Sequence, residues 1–177
     1  MLVPFFYFRG MHKQAKEFCE RIRDKFPDKF EGSALDVGSL DINGSNRYLF
    51  KGEYIGLDIG PGKNVDVVCP IHLYRSDPFD VVISTEMLEH DINWQRSLVN
   101  MQSLTAMGGI LLFTCATTGR PEHGTKRTET KSSPYTTDYY RNLTENDCRS
   151  VMDLSGWDYG FEVNEEHNDL YFWGIKW

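Results

Sequence analysis

Five short β-type runs, at 34–37, 54–58, 65–68, 79–84 and 110–115, recur along 177 residues with turn-like or helical stretches between them. This alternation restricts the chain more than any other feature. The run Phe79-Asp80-Val81-Val82-Ile83-Ser84 is nearly continuous in its apolar character, which suits a strand covered on both faces. Strands that alternate with helices imply an α/β sheet whose parallel strands are joined by right-handed crossovers. Two further runs, 159–163 and 170–177, are separated only by 164–169 and read as an antiparallel hairpin. Between 12 and 26 the apolar residues Ala15, Phe18, Cys19, Ile22 and Phe26 fall at three- and four-residue spacing, the pattern of an amphipathic helix that Pro27 ends. The stretch 86–107 reads as one broken or two short helices before Gly108-Gly109. Thr144 is placed to cap a helix over 145–154.

The length suits one domain over 1–177, with an N-terminal helical segment (1–30) and no room for a separate substrate domain. Residues 116–143 form one long polar stretch, a length that inside a compact domain points to a functional loop. Nineteen Lys and Arg against 26 Asp and Glu leave a net charge of −7, which excludes a broadly basic surface and makes nucleic acid an unsuitable partner. Cys19, Cys69, Cys115 and Cys148 show neither CxxC nor zinc-ribbon spacing, as expected of a cytoplasmic protein. No apolar run approaches the roughly 20 residues of a membrane span. The opening run 2–8 is apolar but short, and reads as a segment packed on the domain rather than a leader. Trp94, Trp173 and Trp177 read as packing residues, Cys115 as a buried small side chain, and His12, His72 and His167 as edge residues.

In open α/β sheets, ligands bind beyond the carboxyl ends of the strands. After the first run come Asp36, Gly38 and Ser39, where the glycine allows a ligand to approach the backbone. Asp58 ends the second run, twenty positions beyond Gly38, where a carboxylate can accept from both hydroxyls of a ribose. Leu40 stands where the diphosphate pattern GxGxxG has its second glycine, and no GxxxxGK[ST] loop occurs, so a nucleoside without a diphosphate is favoured.

Four motifs in order, Leu35-Asp36-Val37-Gly38-Ser39, Gly56-Leu57-Asp58, Phe79 to His90 and Gly108-Gly109-Ile110-Leu111-Leu112, resemble class I S-adenosylmethionine-dependent methyltransferases over residues 33–115. The resemblance implies a Rossmann-like three-layer sandwich with a seven-stranded, mostly parallel sheet whose last strand is antiparallel. It implies S-adenosylmethionine as methyl donor, with Asp36 and the turn at Gly38 holding its methionine part, Asp58 its ribose, and Ser39, Ile59 and Thr85 also among the residues that bind it. The acid that usually follows the third strand is replaced by Cys69-Pro70-Ile71-His72, which leaves adenine to backbone groups near Ile71.

Glu86, Glu89 and His90 stand at i, i+3 and i+4, one face of a helix if the stretch is helical. Two carboxylates and an imidazole suit Mg²⁺, Mn²⁺ or Fe²⁺; a solvated helix start is the alternative. With His123, the pattern is similar to the metal site of the small-RNA 3′-terminal ribose methyltransferases, which implies Glu86, Glu89, His90 and His123 as metal ligands. The stretch 86–90 is also similar to ubiquinone-biosynthesis O-methyltransferases. His90, His123 and Glu89 are the catalytic candidates, an imidazole taking the acceptor proton. Arg120, Tyr139, Tyr140 and Arg141 are the substrate candidates, through charge and ring stacking. The expected reaction is O-methylation of a small polar acceptor such as a sugar or glycan. The rivals are an N-, C- or catechol O-methyltransferase, and a non-catalytic methyltransferase-like subunit, which the altered first turn and missing adenine acid favour. Nothing in the sequence indicates an oligomeric state.

Overall fold

The computed structural model describes residues 13–177. The apolar run 2–8 and His12 lie outside the described residues. Helix α1 (Lys13–Lys25) leads to strands β1 (Ala34–Val37), β2 (Tyr54–Asp58), β3 (Val67–Val68) and β4 (Phe79–Thr85), then to helix α2 (Trp94–Ser103). Strand β5 (Thr105–Ala116), helix α3 (Glu145–Arg149) and strands β6 (Trp157–Asn164) and β7 (Asp169–Lys176) complete the order. The seven strands form one sheet in the order β3-β2-β1-β4-β5-β7-β6. Strands β1 to β5 are mutually parallel, and β7 runs antiparallel to both β5 and β6. This is the arrangement implied by the motifs.

Strand alternation divides the core between the two faces of the sheet. Leu35, Val82, Leu111, Phe113 and Phe172 pack on one face with Trp94, Leu98 and Met101 of α2 and Cys148 of α3. Ala34, Val81, Ile83, Ile110 and Leu112 pack on the other with Phe18, Cys19 and Ile22 of α1. Both faces of β4 and β5 are therefore covered, which is why their sequences read as unbroken apolar runs. Phe113 and Phe172 stack across the β5–β7 pair with ring centroids 5.0 Å apart.

Four elements differ from the sequence reading. Strand β5 begins at Thr105 and passes through Gly108 and Gly109, because a register shift between Phe79 and Val81 absorbs the extra residues. Strand β3 keeps only two residues: Val65 and Asp66 turn back onto Gly62 and Gly56 through backbone hydrogen bonds. Residues 86–90 are not α-helical: after Glu86 and Met87 a 3₁₀ turn covers Leu88–His90, and α2 starts only at Trp94. Helix α3 stops at Arg149, and Gly156, with φ +74°, turns the chain into β6. The Thr144 cap is as read. Its hydroxyl accepts from Asp147 N while the Asp147 side chain accepts from Thr144 N, a closed capping box. Thr144→Ala is expected to lower stability by about 1 kcal/mol in chemical denaturation. An unchanged midpoint would show that the box adds nothing to so short a helix.

All four cysteines are free. Among the described residues no helix is long and apolar enough to cross a membrane.

Candidate functional site

The carboxyl ends of β1, β2 and β4 meet at a cleft of about 590 Å³. Gly38 and Asp58 line one end, Glu86, His90 and His123 line the other, and loop residues 132–139 close over it. One cavity therefore joins the two clusters picked out in the sequence.

At the first end the chain turns sharply after β1. Gly38 has φ +80°, and a Cβ there would stand 2.6 Å from Met87 Cγ, so glycine alone lets the β1 turn and the β4 turn come together. The Gly38 and Ser39 amides both donate to Leu57 O, at 2.9 and 3.1 Å. Asp58 is fixed by the amides of Leu40 (3.1 Å) and Gly60 (3.2 Å). Burial raises its pKa, and those amides partly offset the rise. Ile59, Ile71 and Thr85 also line the cleft, Ile71 beside Cys69 and Pro70.

Asp36 and Ser39 do not line the cleft. Ser39 is 4% exposed and donates to Asn64 O at 3.2 Å. Asp36 lies beneath the floor, 1% exposed, accepting from Tyr54 Oη at 2.5 Å and from Asn46 Nδ2 at 3.5 Å. The same Asn46 amide donates to Thr85 Oγ1 at 3.1 Å, which ties Asp36 to the cleft wall. Burial pushes Asp36 up to about 6 despite these donors.

At the second end the polar groups are left open. Glu89 is fully buried (0% exposed), and neither carboxylate oxygen has a hydrogen-bond partner. Nδ1 of His90 is likewise unpartnered, as is Oε2 of Glu86, whose Oε1 accepts from Thr114 Oγ1 at 2.8 Å. Ligand atoms of Glu89, His90 and His123 lie within 4.8 Å of one another; Glu86 stands outside that group. Glu86 instead holds a left-handed backbone (φ 52°), and its amide donates to Thr114 O at 2.9 Å. Burial raises the pKa of Glu86, and burial followed by the charge of Glu86 raises that of Glu89. Burial and the neighbouring His123 lower His90 to about 4, and burial lowers His123. Both imidazoles are thus held neutral at neutral pH.

The loop after β5 brings His123 here. The rings of His90, His123 and Tyr140 meet edge-on with centroids 5.0 to 5.4 Å apart. Gly124, at φ +70°, makes this possible, since a Cβ there would lie 2.7 Å from His90 Cε1. The amide of Arg141 anchors the loop's far end to Glu89 O at 2.8 Å. Tyr135 closes the roof, its hydroxyl donating to Pro61 O at 2.7 Å and its ring lying over Gly60.

The four loop residues read as substrate contacts are placed differently from one another. Tyr139 lines the cleft, and Tyr140 packs on both imidazoles. Arg120 pairs with the buried Asp169 at 2.8 Å. Arg141 pairs with Asp147 at 2.6 Å and covers the Trp94 ring. Neither arginine lines the cleft. Met87 and Gly124 were not singled out by the sequence, since their roles exist only across long-range contacts.

The sheet order, with its single antiparallel strand beside β5, is the fold of the class I S-adenosylmethionine-dependent methyltransferases. Solved structures with this fold include the magnesium protoporphyrin IX methyltransferase ChlM of Synechocystis PCC 6803 with bound S-adenosylhomocysteine. It has a TM-score of 0.67 and 13% identity, over 100% of this chain and 90% of that one. The 1,6-didemethyltoxoflavin-N1-methyltransferase of Burkholderia thailandensis, with its substrate and S-adenosylhomocysteine bound, is similar at a TM-score of 0.57 and 12% identity, over 92% and 90% of the two chains. The CurJ carbon methyltransferase is similar at 0.62 and 18% identity, and this chain spans 54% of that one. No family model and no curated protein matches the sequence. At such identities the likeness carries the fold and not the acceptor.

Proposed function

We propose that this chain is an S-adenosylmethionine-dependent methyltransferase that methylates a hydroxyl of a small polar acceptor, such as a sugar or glycan, with help from a divalent cation. The observation that carries this reading is a single cleft joining the Gly38–Asp58 strand ends to Glu86, His90 and His123, with the unpartnered carboxylate of Glu89 buried behind the two imidazoles. Asp58, already oriented by two amides, has the geometry to accept from ribose hydroxyls. Gly38 admits the donor's methionine part, and backbone groups of 69–71 take the adenine in place of the missing acid.

The residues fit a cation. A buried carboxylate without partners is disfavoured in its charged form, so it either keeps a proton or meets a positive charge, and the open nitrogen of His90 beside it offers a second ligand atom. Glu89, His90 and His123 would hold it, with Glu86 beside them. A divalent ion held there would lower the pKa of an acceptor hydroxyl. In the reaction the acceptor oxygen forms a bond to the methyl carbon, the carbon–sulfur pair returns to sulfur, and the hydroxyl proton leaves to an imidazole. His90 and His123 are neutral and so able to accept a proton, and either of them, if it does not ligate the ion, would be the base. Tyr139 and the roof formed by 132–139 exclude water and select the acceptor.

Isothermal calorimetry with S-adenosylhomocysteine tests the reading. Wild-type protein is expected to bind in the micromolar range, and Asp58→Ala to weaken binding about tenfold, through loss of charge-assisted hydrogen bonds to the ribose. Absence of wild-type binding at high micromolar concentration would overturn it.

A further inference from the structure

Nine arginines are described, and seven of them sit against a carboxylate: Arg21, Arg23, Arg47, Arg120, Arg127, Arg141 and Arg149. The two that do not, Arg75 and Arg96, line the same surface groove of about 340 Å³. His72, Gln95, Asn100 and Ser103 share its lining, and no carboxylate does. In a chain of net charge −7 such a concentration is informative. Two like charges lining one groove with no carboxylate among them favour an anion there.

The groove is also built to hold one of these arginines still. Nη1 of Arg75 donates to Tyr74 O (2.7 Å), His72 O (3.4 Å) and Asn100 Oδ1 (3.5 Å). Asn100 in turn fastens the 71–73 turn to α2, donating to Ile71 O (2.6 Å) and Tyr74 O (3.0 Å). Arg75 therefore has a fixed origin, while its Nε and Nη2 meet no acceptor among the described residues. Arg96, one helix turn before Asn100, has no hydrogen bond or ion pair among them. A preset guanidinium fork with a second arginine in the same groove matches the oxygens of a phosphate better than a lone carboxylate.

The groove adjoins the cleft. His72 lines both cavities, with Ile92 and Asn93 on the cleft side of the same edge. We propose that the groove of Arg75 and Arg96 binds a phosphate group carried by the acceptor, so that the methylated molecule is a phosphate ester extending out of the cleft past His72. This deepens the methyltransferase reading and rests on it for the word acceptor; the anion site itself stands on the groove.

The test is ¹H–¹⁵N NMR of the full chain, titrated with glycerol 1-phosphate and separately with orthophosphate at matched ionic strength. The ester is expected to shift the amides of Arg96, Val99 and Asn100 saturably. Its affinity is expected to fall about tenfold in Arg96→Gln, an exposed position with no partner, and further in Arg75→Gln/Arg96→Gln. Equal shifts in the double variant, no shifts at these amides, or shifts with orthophosphate but not with the ester would each overturn the proposal. S-adenosylhomocysteine binding, measured on the same samples, should be unchanged by either substitution. Its absence from wild type with ester binding intact would sink the methyltransferase reading and leave the anion site standing.

Discussion

Glu89→Gln is expected to abolish Mn²⁺ binding and to lower methyl transfer by about 10²- to 10⁴-fold, the range associated with losing a positioned group that handles the acceptor proton or its charge. Both oxygens of Glu89 are buried without a donor, and its neighbour Glu86 is a second buried carboxylate. An isolated charge so placed is disfavoured by several kcal/mol, and removing its proton requires a counter-charge. The substitution therefore acts with opposite signs in the two states. In metal-free protein, amide for carboxylate removes the need to protonate Glu89 and leaves thermal stability unchanged or raised. With Mn²⁺ present, wild type gains stability by mass action and the variant does not. Differential scanning calorimetry with and without Mn²⁺, beside electron paramagnetic resonance of bound Mn²⁺, reads both. A variant that binds Mn²⁺ like wild type, or turnover indifferent to EDTA, would remove the cation from the mechanism.

The second large effect concerns Asp36. Its folded pKa of about 6 stands above the ordinary carboxylate value of 3.8, chiefly through burial. Between those two values the unfolded chain releases a proton that the folded protein retains. The fold then binds more protons, so unfolding free energy falls as pH rises. The contribution is fully present below pH 3.8 and is lost as pH passes through about 6. Two units correspond to about 3 kcal/mol. Asp36→Asn lacks this titration, so the difference in stability between wild type and variant is expected to shrink or reverse by that amount from pH 4 to pH 7. Urea denaturation at four pH values measures it. A pH-independent difference would mean that Tyr54 and Asn46 hold the carboxylate charged at ordinary pKa.

Much of this was open to a reader of the sequence. Val81, Val82 and Ile83 announce a doubly covered strand by type alone, and Gly38 and Asp58 mark strand ends by position. Glu86, Glu89 and His90 were legible as a cluster, but not how they divide. Helical spacing placed them on one face. The left-handed backbone of Glu86 and the 3₁₀ turn behind it send Glu86 to Thr114 and leave Glu89 and His90 to meet His123. The basic residues of 116–143 looked like a substrate surface. Arg120, Lys126, Arg127 and Arg141 each meet a carboxylate, while the arginines without one sit near the 71–73 turn and on α2, which drew no notice.

Local pattern therefore determined where most strands run and the types of group at their ends, because side-chain periodicity and turn chemistry act over a few residues, while the arrangement of the sheet was implied by the resemblance of the motifs. Tertiary structure decided which of those groups share a cavity, which carboxylates are buried and unpartnered, and which arginines remain unpaired. Those properties depend on contacts between residues tens of positions apart, such as Gly124 on His90, Tyr135 on Gly60 and Asp169 on Arg120. A charge count of −7 records the sum of such pairings and not one of the pairs.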